Sequence, residues 1–368
     1  MLKLEMLPAG CGDCLILEHL HDGRSQRILI DGGTPASYPA LRARFSREIR
    51  PHFDLIVVTH VDVDHMGGIL ELLRDTTLGV TYDDLWFNGF LHMKPFLADA
   101  LGSAGVATFA REGRANDDLL GPAQGAALAV LAKAGRWNEA FHRGPIVALD
   151  VGVLPRIELQ GGLALTVLSP TPATLQKMAL VWAREVRSAE EELAQPVSPG
   201  GEQLDLLGGL DVKALASEPE HRDDAPANGS SIALLAEVGP HACLLAADAW
   251  PNVLATTIQR LLRERGLRRL PVGAVKLPHH GSKRNVTRDW LNLVECSNFL
   301  ISTDGKRFRH PDAQAIARII YERRDVRLHF NSASLSALRW QSESLQVRYG
   351  FTTVFPGSGG ESLVLMIG

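Results

Sequence analysis

Between positions 59 and 68 the chain reads Thr59-His60-Val61-Asp62-Val63-Asp64-His65-Met66-Gly67-Gly68. His60, Asp62, Asp64 and His65 put four potential metal ligands into six residues. Imidazole and carboxylate together suit divalent transition metals. Asp54-Leu55-Ile56-Val57-Val58 precedes the motif and reads as a buried parallel strand. Met66-Gly67-Gly68-Ile69-Leu70-Glu71-Leu72-Leu73 follows it and reads as a helix start. The ligands therefore occupy a tight strand-to-helix turn. Side chains two residues apart can converge on one ion, and the pair further along on a second.

Positioning such a turn needs a framework of alternating elements. Residues 2–7 read as a strand, Leu15–His19 and Arg27–Ile30 as a hairpin turning at His21-Asp22-Gly23, and Tyr38–Ile49 as a helix. Beyond the motif, Leu85–Asn88 reads as a strand, while Pro95–Leu101 and Gly125–Ala134 read as helices. Leu154–Leu168 reads as a hairpin turning at Gly161-Gly162, and Thr174–Leu193 as an amphipathic helix. Glu190–Ala227 is rich in Pro, Gly, Glu and Asp, which suggests a mobile linker or lid, most marked over 195–227. Strand and helix then alternate again. Ser231–Glu237 and Ala242–Ala246 form a hairpin, and Val253–Arg265, Val286–Val294 and Pro311–Glu322 read as helices. Ala274–Leu277 and Phe299–Ser302 are short buried strands, and Leu328–Gly368 alternates like a closing set of strands.

The 368 residues suffice for one large domain or two smaller ones. Hydrophobic residues at 45% and charged residues at 22% are ordinary for a globular chain with a sizeable core. A net charge of −4 offers no bulk attraction to nucleic acid, though it leaves room for a local basic patch. Four cysteines are too few for a disulfide framework. Cys11-Gly12-Asp13-Cys14 has no second CxxC to complete a zinc site, so we read both thiols as ordinary residues of a glycine turn. The opening MLKLEMLPAG has no long apolar core and no run approaches bilayer length, so the expectation is a cytoplasmic protein without a membrane span.

Three further strand ends carry candidate ligands: Asp31, Asp248 after Leu244-Leu245-Ala246-Ala247, and His279-His280 after Ala274–Leu277. Open α/β folds place their sites at the carboxyl ends of strands. An Asp at such a place is often a helix cap, and a His-His-Gly often a loop. Together with the first motif they complete a two-metal set.

His60-x-Asp62-x-Asp64-His65, then Asp248, then His279-His280-Gly281-Ser282 resembles the metallo-β-lactamase superfamily, and within it the soluble hydrolase domain of ComEC. Gly10-x-Gly12-Asp13-Cys14, Ile30-Asp31-Gly32-Gly33 and Asn228-Gly229-Ser230-Ser231 are similar to that branch as well. The phosphorylcholine esterases share the motif variant. The resemblance covers 1–75 and 225–315 and implies an α/β (αββα) sandwich forming one domain over 1–368. Residues 75–225 would be a mostly helical insertion. It further implies that His60 and Asp62 bind one metal, that Asp64, His65 and one of His279 and His280 bind the other, and that Asp248 bridges them. Two departures stand out. Asp62 occupies a place where many members have His, which favours Mn²⁺, Fe²⁺ or Mg²⁺ beside Zn²⁺. The usual His about twenty residues before the bridging Asp is missing, with Asn228 near its place, so the first metal should be weakly held.

Two such ions can activate a shared water for in-line displacement. Asp64 serves as ligand or as base. Asp31 and Thr59 hold the histidine turn in place. His310 either reaches the leaving group or a phosphate oxygen, or is a surface residue at a helix entry. Lys276, Lys283, Arg284, Arg288, Lys306, Arg307 and Arg309 cluster beside the second half of the site. With Ser282 they suggest a phosphodiester substrate: DNA, RNA or a nucleotide. Phe308 and Trp250 are the candidates for stacking a base. Two other readings compete. One is a small-molecule phosphoester or lactone hydrolase roofed by the insertion. The other is a regulatory module whose protein partner docks on 75–225, for example in antiphage defence.

Overall fold

Strand Leu55–Val57 shows how the layers form. Leu55 and Val57 face the large core cluster shared with the second sheet, whereas Ile56 belongs to the cluster beneath the helices. Its neighbour Arg24–Ile30 divides the same way: Ile28 and Ile30 point inward, Leu29 outward. A strand buried on both faces must be apolar at every position, which is why these runs read as continuous rather than alternating. In this computed structural model the described residues are 1–97, 122–133, 135–188, 210–357 and 362–368.

The first sheet orders its strands Leu363–Ile367, Leu2–Met6, Leu15–His21, Arg24–Ile30, Leu55–Val57 and Leu85–Trp86. Its first four are antiparallel, and the pairs after Arg24–Ile30 are parallel. The second sheet runs Phe351–Val354, Val326–Phe330, Asn298–Ile301, Ala274–Lys276, His241–Leu245, Ala233–Val238, Ala164–Ser169 and Arg156–Glu158. Helices Tyr38–Phe45, Val63–Arg74 and Pro172–Ser188 cover the first sheet with residues such as Phe45, Ile69 and Trp182. Pro251–Arg265 and Ala313–Glu322 cover the second with Leu254, Ile258, Ile316 and Ile319. The result is the mixed α/β sandwich expected, consistent with a metallo-β-lactamase fold.

Several expectations need correction. Among the described residues of 75–225, strands accompany the helices. Leu85–Trp86 extends the first sheet, and Arg156–Glu158 with Ala164–Ser169 forms the edge of the second, so these strands belong to the framework. Of the segment read as a linker, 195–209 lies outside the described residues. Residues 210–227 are built into the fold, with a helix at Val212–Ser217 and Asp223 buried. The helix expected over Val286–Val294 shrinks to Arg288–Leu291, and the closing region contains helices Leu335–Leu338 and Glu343–Tyr349 among its strands. The end of the helix expected over Pro95–Leu101 also lies outside the described residues. Among those residues, no helix is long and apolar enough to cross a membrane.

Candidate metal centre

The helix after the histidine turn begins earlier than expected, at Val63, because the Asp62 carbonyl already accepts from His65 N at 2.9 Å and Met66 N at 3.0 Å. Asp64 and His65 thus lie in its first turn. That turn docks backbone to backbone on the loop after strand Arg24–Ile30: Gly32 N donates to His65 O at 2.7 Å and Gly68 N to Gly33 O at 2.9 Å. A Cβ on Gly68 would meet Gly32 O at 2.0 Å, so only glycine admits this approach. Gly12 is equally constrained, since a Cβ there would lie 1.6 Å from Asp64 O.

Four imidazoles share one arrangement, in which each Nδ1 is engaged by an acceptor. Thr59 Oγ1 donates to Asp31 Oδ2 at 2.7 Å, which leaves its lone pairs to accept from His60 Nδ1 at 3.0 Å. His65 Nδ1 donates to Asp31 Oδ2 at 2.8 Å. His280 Nδ1 donates to Ser302 O at 2.9 Å, and His279 Nδ1 to Asn285 Oδ1 at 3.0 Å. An engaged Nδ1–H sets the tautomer and leaves the Nε2 lone pair for a metal.

All four Nε2 atoms gather around Asp248. His65 Nε2 lies 3.4 Å from Asp248 Oδ1, while His280, His279 and His60 lie 3.6, 3.8 and 3.9 Å from Oδ2. Asp62 Oδ2 stands 3.5 Å from His60 Nε2, and Asp64 Oδ2 stands 3.6 Å from His280 Nε2. His60 thus neighbours Asp62, and His280 neighbours Asp64, while all four rings address Asp248. His60 Nε2 and Asp248 Oδ1 are buried without a hydrogen-bond partner, and His65 and His280 bring their Nε2 atoms to 3.3 Å. Unpartnered buried donor atoms aimed at one point are costly unless a cation completes them. The residues therefore fit the divalent ions that this class of site takes.

The electrostatics agree. Burial disfavours charge on His65, yet Asp248 and Asp31 more than offset it and hold its pKa well above the usual histidine range. Burial likewise opposes charge on His279, which Asp248 and Asp223 hold up to about 9. For Asp248 burial is outweighed by His65, His280 and His279, which keep its carboxyl well below the ordinary range. The carboxylates hold protons on the rings where a metal would replace them. Local strain accompanies this packing. Asp31, Ala247, His279 and His280 all adopt left-handed backbone at strand ends, with φ of 57°, 47°, 47° and 53°. Such outliers concentrate at functional sites.

One of the two adjacent histidines was expected to act as a ligand; both rings face Asp248, His279 at 3.8 Å and His280 at 3.6 Å. Asn228 Nδ2 donates to Asp223 Oδ2 at 2.7 Å and lies 3.3 Å from His279 Nδ1, a contact between two donors that is no hydrogen bond once Nδ1 donates to Asn285. Asn285 Nδ2 also donates to Asp223 Oδ2, at 2.9 Å. Sequence reasoning missed Asp223, Asn285 and Asp13. Asp13 was quoted as part of a motif but given no role. It pairs with Lys276 Nζ at 2.6 Å and lies 3.3 Å from His280 Nδ1. It also belongs to the buried cluster of Asp13, His65, Asp248 and His280 capable of holding a cation. Asp31 accepts from Thr59 and His65, and His310 packs its ring on His279 at 5.4 Å.

The basic cluster is less free than the sequence suggests. Lys276 is wholly buried by its Asp13 pair. Arg284 is held by Arg222 O and Asp224, and Arg288 by Glu220 and Glu322. Ser282 is buried, with its Oγ accepting from Arg284 N at 3.2 Å, while the Arg284 side chain itself is exposed. Lys306, Arg307 and Arg309 remain exposed, and Lys283 is half-buried. Trp250 is buried, its Nε1 donating to Ala225 O, which removes it as a stacking surface. Cys11, Cys14, Cys243 and Cys296 are free thiols.

Fold and site define an α/β protein built on two large sheets, with a buried His/Asp centre at the carboxyl ends of its parallel strands. Residues 12–125 match the family model described as the metallo-beta-lactamase superfamily, which includes the His60–His65 motif. No curated protein matches the chain. Among solved structures, Zn²⁺-bound PqqB from Methylobacterium extorquens is similar at 12% identity and a TM-score of 0.41, over 99% of each chain. A diphosphatase of the PhnP family is similar at 12% identity and a TM-score of 0.38, over 100% of this chain and 98% of that one. A mutant of the CmlA beta-hydroxylase is similar at 12% identity and a TM-score of 0.41, and the chain spans 53% of its length.

Proposed function

We propose that the protein is a metal-dependent hydrolase that cleaves a phosphodiester. The carrying observation is the convergence of four Nε2 atoms, each with its Nδ1 engaged, on the single carboxylate of Asp248. His60, Asp62 and His279 would hold one divalent ion, and Asp64, His65 and His280 the other, with Asp248 shared. Two nitrogens and two oxygens per ion suit Zn²⁺ or Mn²⁺, with Fe²⁺ and Mg²⁺ as further candidates. When bound, such a pair acidifies water near neutral pH and neutralises charge on the oxygens of an in-line displacement.

The chain's own residues do the rest. Asp31 and Thr59 lock His60 and His65, and Asn285, itself held by Asp223, locks His279. Burial lowers the His310 pKa, so the ring is neutral at pH 7 and can donate one N–H to a substrate oxygen. Exposed Lys306 and Arg307 favour an anionic substrate. Closeness to the ComEC hydrolase branch rests on the motifs alone, and that branch points towards nucleic acid or nucleotides.

The test is metal analysis of purified protein, then incubation with Mn²⁺ or Zn²⁺ and single- or double-stranded DNA, RNA, cyclic nucleotides, small phosphoesters and lactones. Cleavage of phosphodiesters that stops with a chelator and with His60→Ala is expected. Cleavage of lactones or monoesters alone moves the substrate class. No hydrolysis by metal-loaded protein removes the reading.

A further inference from the structure

The turn that follows the histidine pair carries Asn285, which is fully buried and ties three parts of the centre together. Its Oδ1 accepts from His279 Nδ1 at 3.0 Å. Its Nδ2 donates to Asp223 Oδ2 at 2.9 Å and lies 3.3 Å from the Asp248 carbonyl oxygen. The aim of such a side chain depends on the backbone beneath it. Ser282 O accepts from Asn285 N and Val286 N, at 3.1 and 2.9 Å, which closes the turn. The carbonyls of the turn are then held from outside. Trp290 Nε1 donates to Asn285 O at 2.9 Å. Arg318, in helix Ala313–Glu322, brings a single nitrogen, Nη1, to Lys283 O at 2.6 Å and Val286 O at 2.9 Å.

Arg318 is 1% exposed. A guanidinium buried to this degree is costly and ordinarily sits in a bidentate pair with a carboxylate. Here Glu220 Oε1 lies 3.5 Å from Nε, which has no hydrogen-bond partner among the described residues. The hydrogen bonds of Nη1 go instead to the two carbonyls that bracket Asn285 in the chain. Hydrogen bonds from an ionised donor are roughly twice as strong as neutral ones, so they fix the turn firmly.

We propose that Arg318 is a positioning residue of the metal centre: by gripping Lys283 O and Val286 O it fixes Asn285, and Asn285 aims His279 Nε2 at Asp248. This rests on the reading above that His279 holds one of two ions. Arg318 acts through Asn285, not on an ion itself. A cation that only filled the core would support the fold without choosing between the ions, whereas this one supports the ion of His279.

Competition of dialysed protein with a chelating dye for Zn²⁺, in the wild type and in a double-variant cycle with His279→Ala, tests this. Arg318→Met should weaken one zinc ion roughly 10- to 100-fold and leave the other unchanged. In the His279→Ala background the same change should have no further effect, because the residue it acts through is gone. Arg318→Lys, which keeps a buried cation but not the planar guanidinium, should show a smaller loss at the same ion, and it decides the matter if Arg318→Met does not fold. Unchanged affinities in both variants, equal weakening of both ions, or the same loss with and without His279 overturns the positioning role. If His279→Ala itself binds two zinc ions as tightly as the wild type, the ligand reading falls and the role of Arg318 falls with it. One ion lost in His279→Ala but no effect of either Arg318 variant keeps the ligand reading and removes only the positioning.

Discussion

His279 Nε2 stands 3.8 Å from Asp248 Oδ2 while its neighbour His280 reaches the same oxygen at 3.6 Å, so two consecutive histidines address one carboxylate. Consecutive side chains in extended backbone diverge. Here both residues take left-handed φ, and the tight turn brings both rings inward. Separate acceptors, Asn285 Oδ1 and Ser302 O, then fix each ring.

His279→Ala and His280→Ala should each lower bound metal from two ions to one per chain, and Asp248→Ala should lower it to none. Hydrolysis should fall by at least about 10²-fold in each case. Elemental analysis of dialysed protein decides this. Full metal content in His279→Ala would show that His279 is not a ligand.

Asp223 holds Asn228 and Asn285, and Asn285 in turn accepts from His279 Nδ1. Asp223→Ala should weaken one metal by about 10- to 100-fold while the other is kept. Competition with a chelating dye would resolve two affinities in this variant. Equal weakening of both ions would mean a general structural effect.

Lys276 and Asp13 form an ion pair with both side chains buried, 2.6 Å apart. Removing one partner strands the other charge, so Lys276→Met should cost about 3–5 kcal/mol in denaturant unfolding. Adding Asp13→Leu should recover much of that stability but not metal affinity, because Asp13 lies beside His280 Nδ1. A double variant as unstable as Lys276→Met would contradict this account.

Protons and metal compete for His279. Its folded pKa is raised to about 9 in metal-free protein, by Asp248 and Asp223 against the opposing effect of burial. A raised pKa contributes stability that is complete below the unfolded value, about 6.5, and is lost as pH rises through the folded one. Metal-free protein should therefore lose thermal stability between about pH 6.5 and pH 9. Metal-loaded protein should not, since the ion replaces the proton. Parallel melting curves for the two forms across that window would count against the assignment.

The sequence by itself determined the histidine turn and the strand ends that carry Asp31, Asp248 and His279-His280. Each follows from a local signal: a short apolar run bounded by ligands or by glycine. The sandwich class followed from the resemblance of these motifs to the metallo-β-lactamase superfamily. What only the tertiary structure decided depends on contacts far apart in the chain. That Leu85–Trp86 and Ala164–Ser169 belong to the two sheets is set by strand pairing, which their own short runs do not reveal. That Lys276 is unavailable to a substrate is set by Asp13, which lies 263 positions away. The orientation of each imidazole is set by the acceptor at its Nδ1, supplied by another strand end or loop. Spacing can nominate a histidine as a ligand, but the direction of its lone pair is decided only when parallel strands bring their carboxyl ends together around Asp248.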